Sequence, residues 1–124
     1  MADMAGTEDT ADGRISSETF LAEVRTPDWS VVGGRARAVF ATGTFATGLR
    51  FVALVGERAE AAGHHPDLEL GYPEVVVSLV THDVGGLTTK DVRLAQEIST
   101  VAAGLGVQAR AAGESAVPPS PPET

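Results

Sequence analysis

Hydrophobic and polar positions change period several times along the chain, and each change predicts an element. Ser16 and Ser17 can cap a short helix over 16–25, with Phe20, Leu21 and Val24 as its apolar stripe. Pro27 then stops it. Residues 29–32 read as a strand, and Gly33-Gly34 as a two-residue hairpin loop. Residues 35–41 alternate: Ala36, Ala38 and Phe40 fall on one face, Arg35, Arg37 and Val39 on the other. A helical period over 44–62 predicts a long helix, with Phe45, Leu49, Val52, Gly56 and Ala59 as its buried stripe and Gly63 as its stop. A third strand is expected over 68–72. A fourth, over 74–81, is expected to be buried on both faces, by Val75, Val77 and Leu79 on one side and Val76 and Val80 on the other. A last helix starts near Thr88, with Leu94, Ile98, Val101 and Leu105 as its stripe and Val92 and Ala95 beside it.

The order is α-β-β-α-β-β-α, and the short links between paired strands favour antiparallel pairing. The fold class expected is α+β, a four-stranded antiparallel sheet with three helices packed on one face. Its other face is left to solvent or to another subunit.

Composition narrows the class of molecule. The chain has 124 residues, which suits one domain, and no Cys, which removes disulfides, Cys-based zinc sites, iron–sulfur clusters and thiol nucleophiles. The formal charge of -8 argues against nucleic-acid binding, which needs a basic surface. Much of that charge is terminal: residues 1–14 hold four acids and one Arg, and 111–124 hold two acids and no base. The second segment also holds four of the seven prolines, and both read as disordered tails around a folded domain over 15–110. No apolar run approaches the roughly 18 residues that span a bilayer. The acidic N-terminus lacks the basic-then-apolar order of a signal peptide, so a cytoplasmic location is expected. High Ala, Gly and Arg with little Lys fit a bacterial source.

The chemistry concentrates in one window. His64 and His65 follow the long helix, His82 ends the fourth strand, and Glu60, Asp83 and Asp91 are the nearby acids. Each histidine stands where a regular element stops, a place where a rigid scaffold can present a side chain to a ligand. Bland readings exist for each residue. His64 and His65 can cap the negative end of a helix, and His82 can be an ordinary strand-end residue. Glu60 lies one turn before His64 and either orients it or is simply solvated. Thr88 and Asp91 have the spacing of a capping box, which makes a structural role for Asp91 the favoured one. Tyr72 either stacks on a ligand or packs beside Pro73. Gly85-Gly86 permits a tight turn; no Lys or Ser/Thr follows at phosphate-loop spacing. Three histidines could in principle hold zinc, although adjacent His64 and His65 would have to bind one ion from a single bend.

The spacing of these residues resembles one family. Glu60, His64, His65 and Pro66 are followed after five residues by Tyr72, after nine more by His82 and after eight more by Asp91. This is the pattern of the pterin-4a-carbinolamine dehydratases. The flanking runs AEAAGHHPD and SLVTHDVGGLTTKDVRLAQEI, with Trp29, Phe40, Phe45 and Phe51 upstream, are similar too, so the resemblance covers about 15–105. It implies a homodimer or homotetramer acting on a 4a-hydroxytetrahydropterin, from which water is removed to give the quinonoid dihydropterin in tetrahydrobiopterin recycling. It implies no metal and no organic cofactor. His64 and His65 would be the acid–base pair, with His82 in binding and proton transfer. Glu60, Gly63, Pro66, Tyr72, Thr81 and Asp83 would contact the substrate. Imidazole suits this work, because it titrates near neutral pH and can give or take a proton.

Two departures from the family pattern stand out. Leu68 occupies a position that is often aromatic, and Phe40-Ala41-Thr42 is less aromatic than usual. The competing reading is a non-catalytic binding, assembly or transcription-cofactor protein on the same scaffold, since fold does not dictate function. Retention of all three histidines favours the enzyme.

Overall fold

The computed structural model describes residues 13–111. The two expected tails therefore lie almost wholly outside the described residues. Helix α1 spans Ser17–Val24, with the Ser16 side chain accepting from the Thr19 amide and Phe20 and Val24 buried. It ends on Arg25 in the left-handed conformation, ahead of Pro27. Strand β1 (Ser30–Val32) turns through Gly33 and Gly34, at φ 59° and 79°, into β2 (Arg35–Ala41). Two consecutive positive φ values are what a tight hairpin demands, and glycine adopts them without strain. Helix α2 (Phe45–Ala62), strands β3 (Asp67–Leu70) and β4 (Glu74–Leu79), a single 3₁₀ turn (His82–Val84) and helix α3 (Thr89–Gly104) follow.

The sheet order is β1-β2-β4-β3, every neighbouring pair antiparallel, as the hairpin-scale links predict. A fifth strand goes beyond the four expected. Residues Gln108–Ala109 form β5, which pairs with the end of β2 that β1 leaves open. Two residues after Gly106 carry no periodic signal of their own. Their pairing is held by the Arg110 amide, which donates to Val39 O at 2.7 Å, and by Arg110 Nε, which donates to the buried Glu74 carboxylate at 2.9 Å.

The core lies between the sheet and the three helices. Phe20, Phe40, Phe51, Leu79, Leu94 and Ile98 are among its fully buried side chains. Phe40 is central, with its ring 5.0 Å from that of Phe51 and edge-on to Trp29 at 6.1 Å. Trp29 satisfies its indole N–H at Ser99 Oγ, 3.0 Å away, so a polar atom at the core's margin is not left unpaired. Strand β4 buries Val75, Val77 and Leu79 against the helices as expected. The expectation of burial on its other face holds only in part: Val76 is half-buried, on the side of the sheet without helices, whereas Val80, just past the strand's end, is buried. The exposed Arg35–Asp67 ion pair, at 3.0 Å, crosses the same open side.

Helix α2 corrects one expectation. Its buried residues are Gly48, Phe51, Val55 and Ala59, whereas Phe45 and Leu49, placed in the core by periodicity, are about half exposed, at 48% and 51%. The helix is apolar on two faces, and period alone cannot choose between them. Gly48 fits this phase: a Cβ there would stand 2.7 Å from Leu70 Cδ1, so its lack of one spares Leu70 a shift. Phe51 and Val55 then follow on the same face.

Candidate active site

The site assembles where α2 ends, where β4 ends and where α3 begins. Gly63 terminates α2 in the left-handed conformation at φ 64°, with its amide donating to Ala59 O and Glu60 O. That reversal separates the two adjacent histidines. His64 turns inward and is half-buried, whereas His65 stays exposed.

Inward, His64 Nε2–H donates to Asp91 Oδ1 at 2.6 Å. The His64 side chain is 11% exposed and that of Asp91 fully buried. Asp91 is the most heavily engaged carboxylate of the site. Its Oδ2 accepts from the Thr81 hydroxyl at 2.7 Å and from the Thr88 amide at 2.9 Å. The latter bond, with the Thr88 side chain accepting from the first turn of α3, completes the capping box that the spacing predicts. Thr81 and Thr88 hydroxyls also meet at 2.8 Å. Asp91 is therefore a helix cap and the partner of His64 at once. The second contact spans 27 residues, and local spacing carries no signal for it.

Outward, His65 Nε2–H donates to Glu60 Oε2 at 2.8 Å, with both side chains well exposed. Of the two readings open for Glu60, orienting His64 or a solvated helix face, the carboxylate is well exposed and its imidazole contact is with His65, not His64. Past the left-handed Gly63 the chain no longer follows the helix surface, so the i,i+4 rule stops applying. Glu60, His65 and Pro66 line an open, largely apolar groove of about 600 Å³ with Ala53, Gly56, Glu57, Ala59 and Leu68. Leu68 forms part of its wall.

His82 opens the 3₁₀ turn after β4 and is exposed, as is Asp83 beside it. Thr81 is buried, and its hydroxyl is directed at Asp91 and Thr88. Thr81 and Gly86 form an isolated antiparallel bridge that closes the loop holding His82. Gly63 is exposed at the bend, Pro66 half-buried, and Tyr72 stands outward at 69% exposure in the β3–β4 connection. Its ring is therefore not part of the core. Among the described residues no group of three or more His, Asp or Glu side chains is arranged to hold a metal ion. No helix among them is long and apolar enough to cross a membrane.

This arrangement can move protons. A carboxylate with three donors around it fixes the ring orientation of His64. With Nε2–H committed to Asp91, the neutral ring presents Nδ1 as an acceptor.

Comparison with known proteins places the chain in a family. The family profile described as Pterin 4 alpha carbinolamine dehydratase matches residues 14–101. A protein of Cyanothece sp., provisionally named a pterin-4-alpha-carbinolamine dehydratase, is 52% identical over 73 residues, covering 59% of this chain and 75% of its own. A protein of Chloroflexus aurantiacus with the same provisional name is 42% identical over 87 residues, covering 68% and 94%. The crystal structure titled transcriptional coactivator/pterin dehydratase, from Brucella melitensis, superposes with a TM-score of 0.67 at 27% identity. It covers 73% of this chain and 99% of that one. With the profile spanning most of the folded residues, the chain belongs to the pterin 4 alpha carbinolamine dehydratase family.

Proposed function

We propose that this protein removes water from a 4a-hydroxytetrahydropterin, giving the quinonoid dihydropterin, by histidine acid–base catalysis. The observation that carries the reading is the His64–Asp91 pair, a nearly buried imidazole held at 2.6 Å by a fully buried carboxylate. The reaction breaks the bond from carbon 4a to its hydroxyl oxygen. One proton goes to that oxygen, which leaves as water, and one is lost from a ring nitrogen as the carbon–nitrogen double bond forms. In this reading His64 and His65 share these two transfers, with the Asp91-anchored His64 the better placed base. His82 binds the pterin and relays a proton from the exposed turn. Glu60 orients His65, and Gly63, Pro66, Tyr72 and Asp83 border the substrate. Thr81 serves indirectly, through Asp91. One well-placed acid–base group contributes about 10²- to 10⁴-fold. No metal or organic cofactor is required. Assembly as a homodimer or homotetramer belongs to the same reading.

The direct test is to add the full-length chain to freshly generated 4a-hydroxytetrahydropterin and follow its loss by ultraviolet absorbance. Acceleration over the buffer rate is expected, and a rate equal to buffer rejects the proposal. A second reading, a binding or assembly protein, is favoured by the half-exposed Phe45 and Leu49 on the outer face of α2. The dual title of the Brucella structure points the same way. That reading predicts stable complexes with a partner and no acceleration.

A further inference from the structure

The loop that carries His82 has a neighbour from the far end of the chain. The Ile15 amide donates to Leu87 O at 2.8 Å, which lays the segment before α1 along the 81–87 loop. Arg14 then sits directly over Gly86. A Cβ built on Gly86 would stand 2.8 Å from Arg14 Cδ and 3.2 Å from Arg14 Cγ. Gly86 is buried, while its neighbour Gly85 is exposed. The two glycines have different reasons to be glycine. Gly85 has a φ of 65°, which disfavours any other residue. Gly86 has no such conformation, and a side chain there would have to displace the Arg14 stem.

Gly86 is tied to the rest of the site. Thr81 N–H donates to Gly86 O at 2.9 Å, and the Thr81 hydroxyl donates to Asp91. His82 is the next residue after Thr81, inside the loop that this bridge closes. The packing therefore runs without a gap from Arg14 through Gly86 and Thr81 to the carboxylate that holds His64. The family match also begins at residue 14, on the tail side of the boundary that composition suggests.

We infer that Arg14 is a positioning residue for His82: its aliphatic stem, seated on Gly86, keeps the 81–86 turn closed and sets where the His82 imidazole stands relative to the His64–Asp91 pair. The catalytic consequence rests on the dehydratase reading; the packing does not.

The test uses the full-length chain and four variants: Arg14→Ala, Arg14→Met, Gly86→Ala and the double variant Arg14→Ala/Gly86→Ala. Three readouts are followed: amide hydrogen exchange over 81–87, the ring NMR signals of His82 and His64, and the dehydration rate. Arg14→Ala is expected to speed exchange at the Thr81 amide by about ten-fold. It should shift the His82 ring signals, leave those of His64 in place and lower kcat by about three-fold with little change in KM. Arg14→Met keeps an apolar stem over Gly86 and should hold the loop exchange and the His82 signals closer to wild type than Arg14→Ala does. Gly86→Ala displaces the stem and should reproduce Arg14→Ala, and the double variant should be no worse than either single change. Wild-type loop exchange and His82 signals in Arg14→Ala would overturn the inference. So would an Arg14→Met variant that is no better than Arg14→Ala, or additive effects in the double variant. If the wild-type chain shows no dehydration, the rate readout falls with the functional reading, and the exchange and ring signals still decide the role of Arg14.

Discussion

His64 and His65 are neighbours in sequence, and each gives its Nε2–H to a carboxylate, at 2.6 and 2.8 Å. The two contacts are nevertheless unequal. The inner pair has side chains 11% and 0% exposed, and the outer pair 63% and 79%. In water, an imidazole–carboxylate contact competes with solvent and is worth little; excluded from water, the same contact is stronger and costly to break by halves. The difference comes from one residue. Gly63 reverses the chain, and the next two side chains leave on opposite sides of the bend.

Asp91→Ala is the hardest way to break this contrast. It removes the α3 cap and leaves His64, Thr81 and the Thr88 amide without their acceptor. A loss of about 2–3 kcal/mol is expected in urea unfolding, because a buried polar partner is orphaned. The dehydration rate should fall by about 10²-fold or more. Thr81→Val keeps the shape and deletes one donor to Asp91. About 1–2 kcal/mol of stability should go with it. The rate should fall by less than about ten-fold, because His64 retains its carboxylate. Glu60→Gln tests the outer pair. Stability should change by less than about 0.5 kcal/mol, as for exposed ion pairs generally, and unfolding midpoints would show it. A large destabilisation by Glu60→Gln would mean that the outer pair is not the weak one.

The same contrast shows what could be read from sequence. Local chemistry was legible. The Gly33-Gly34 hairpin, the Gly63 stop and the Thr88/Asp91 capping box each depend on residues within a few positions of one another. The phase of α2 was not, because Phe45/Leu49 and Phe51/Val55 offer two apolar faces, and the face chosen packs Gly48 close to Leu70 in a distant strand. Strand β5 was invisible for a similar reason: Gln108 and Ala109 become a strand only because β2 has an open end beside them. In the site, spacing brought His64, His65, His82 and Asp91 into one window. Which carboxylate serves which imidazole depended on the left-handed bend and on a contact 27 residues long. The role of Asp91 was read by halves: the cap is local, the pairing with His64 is not.

The central claim is that the imidazole held by Asp91 performs proton transfer in dehydration. The measurement closest to it compares dehydration of 4a-hydroxytetrahydropterin by wild type, His64→Ala and His65→Ala, with folding of each verified by circular dichroism. The account predicts that His64→Ala falls by about 10²-fold or more, as expected for loss of a placed acid–base group, and that His65→Ala loses less. A folded His64→Ala variant that keeps the wild-type rate would contradict it.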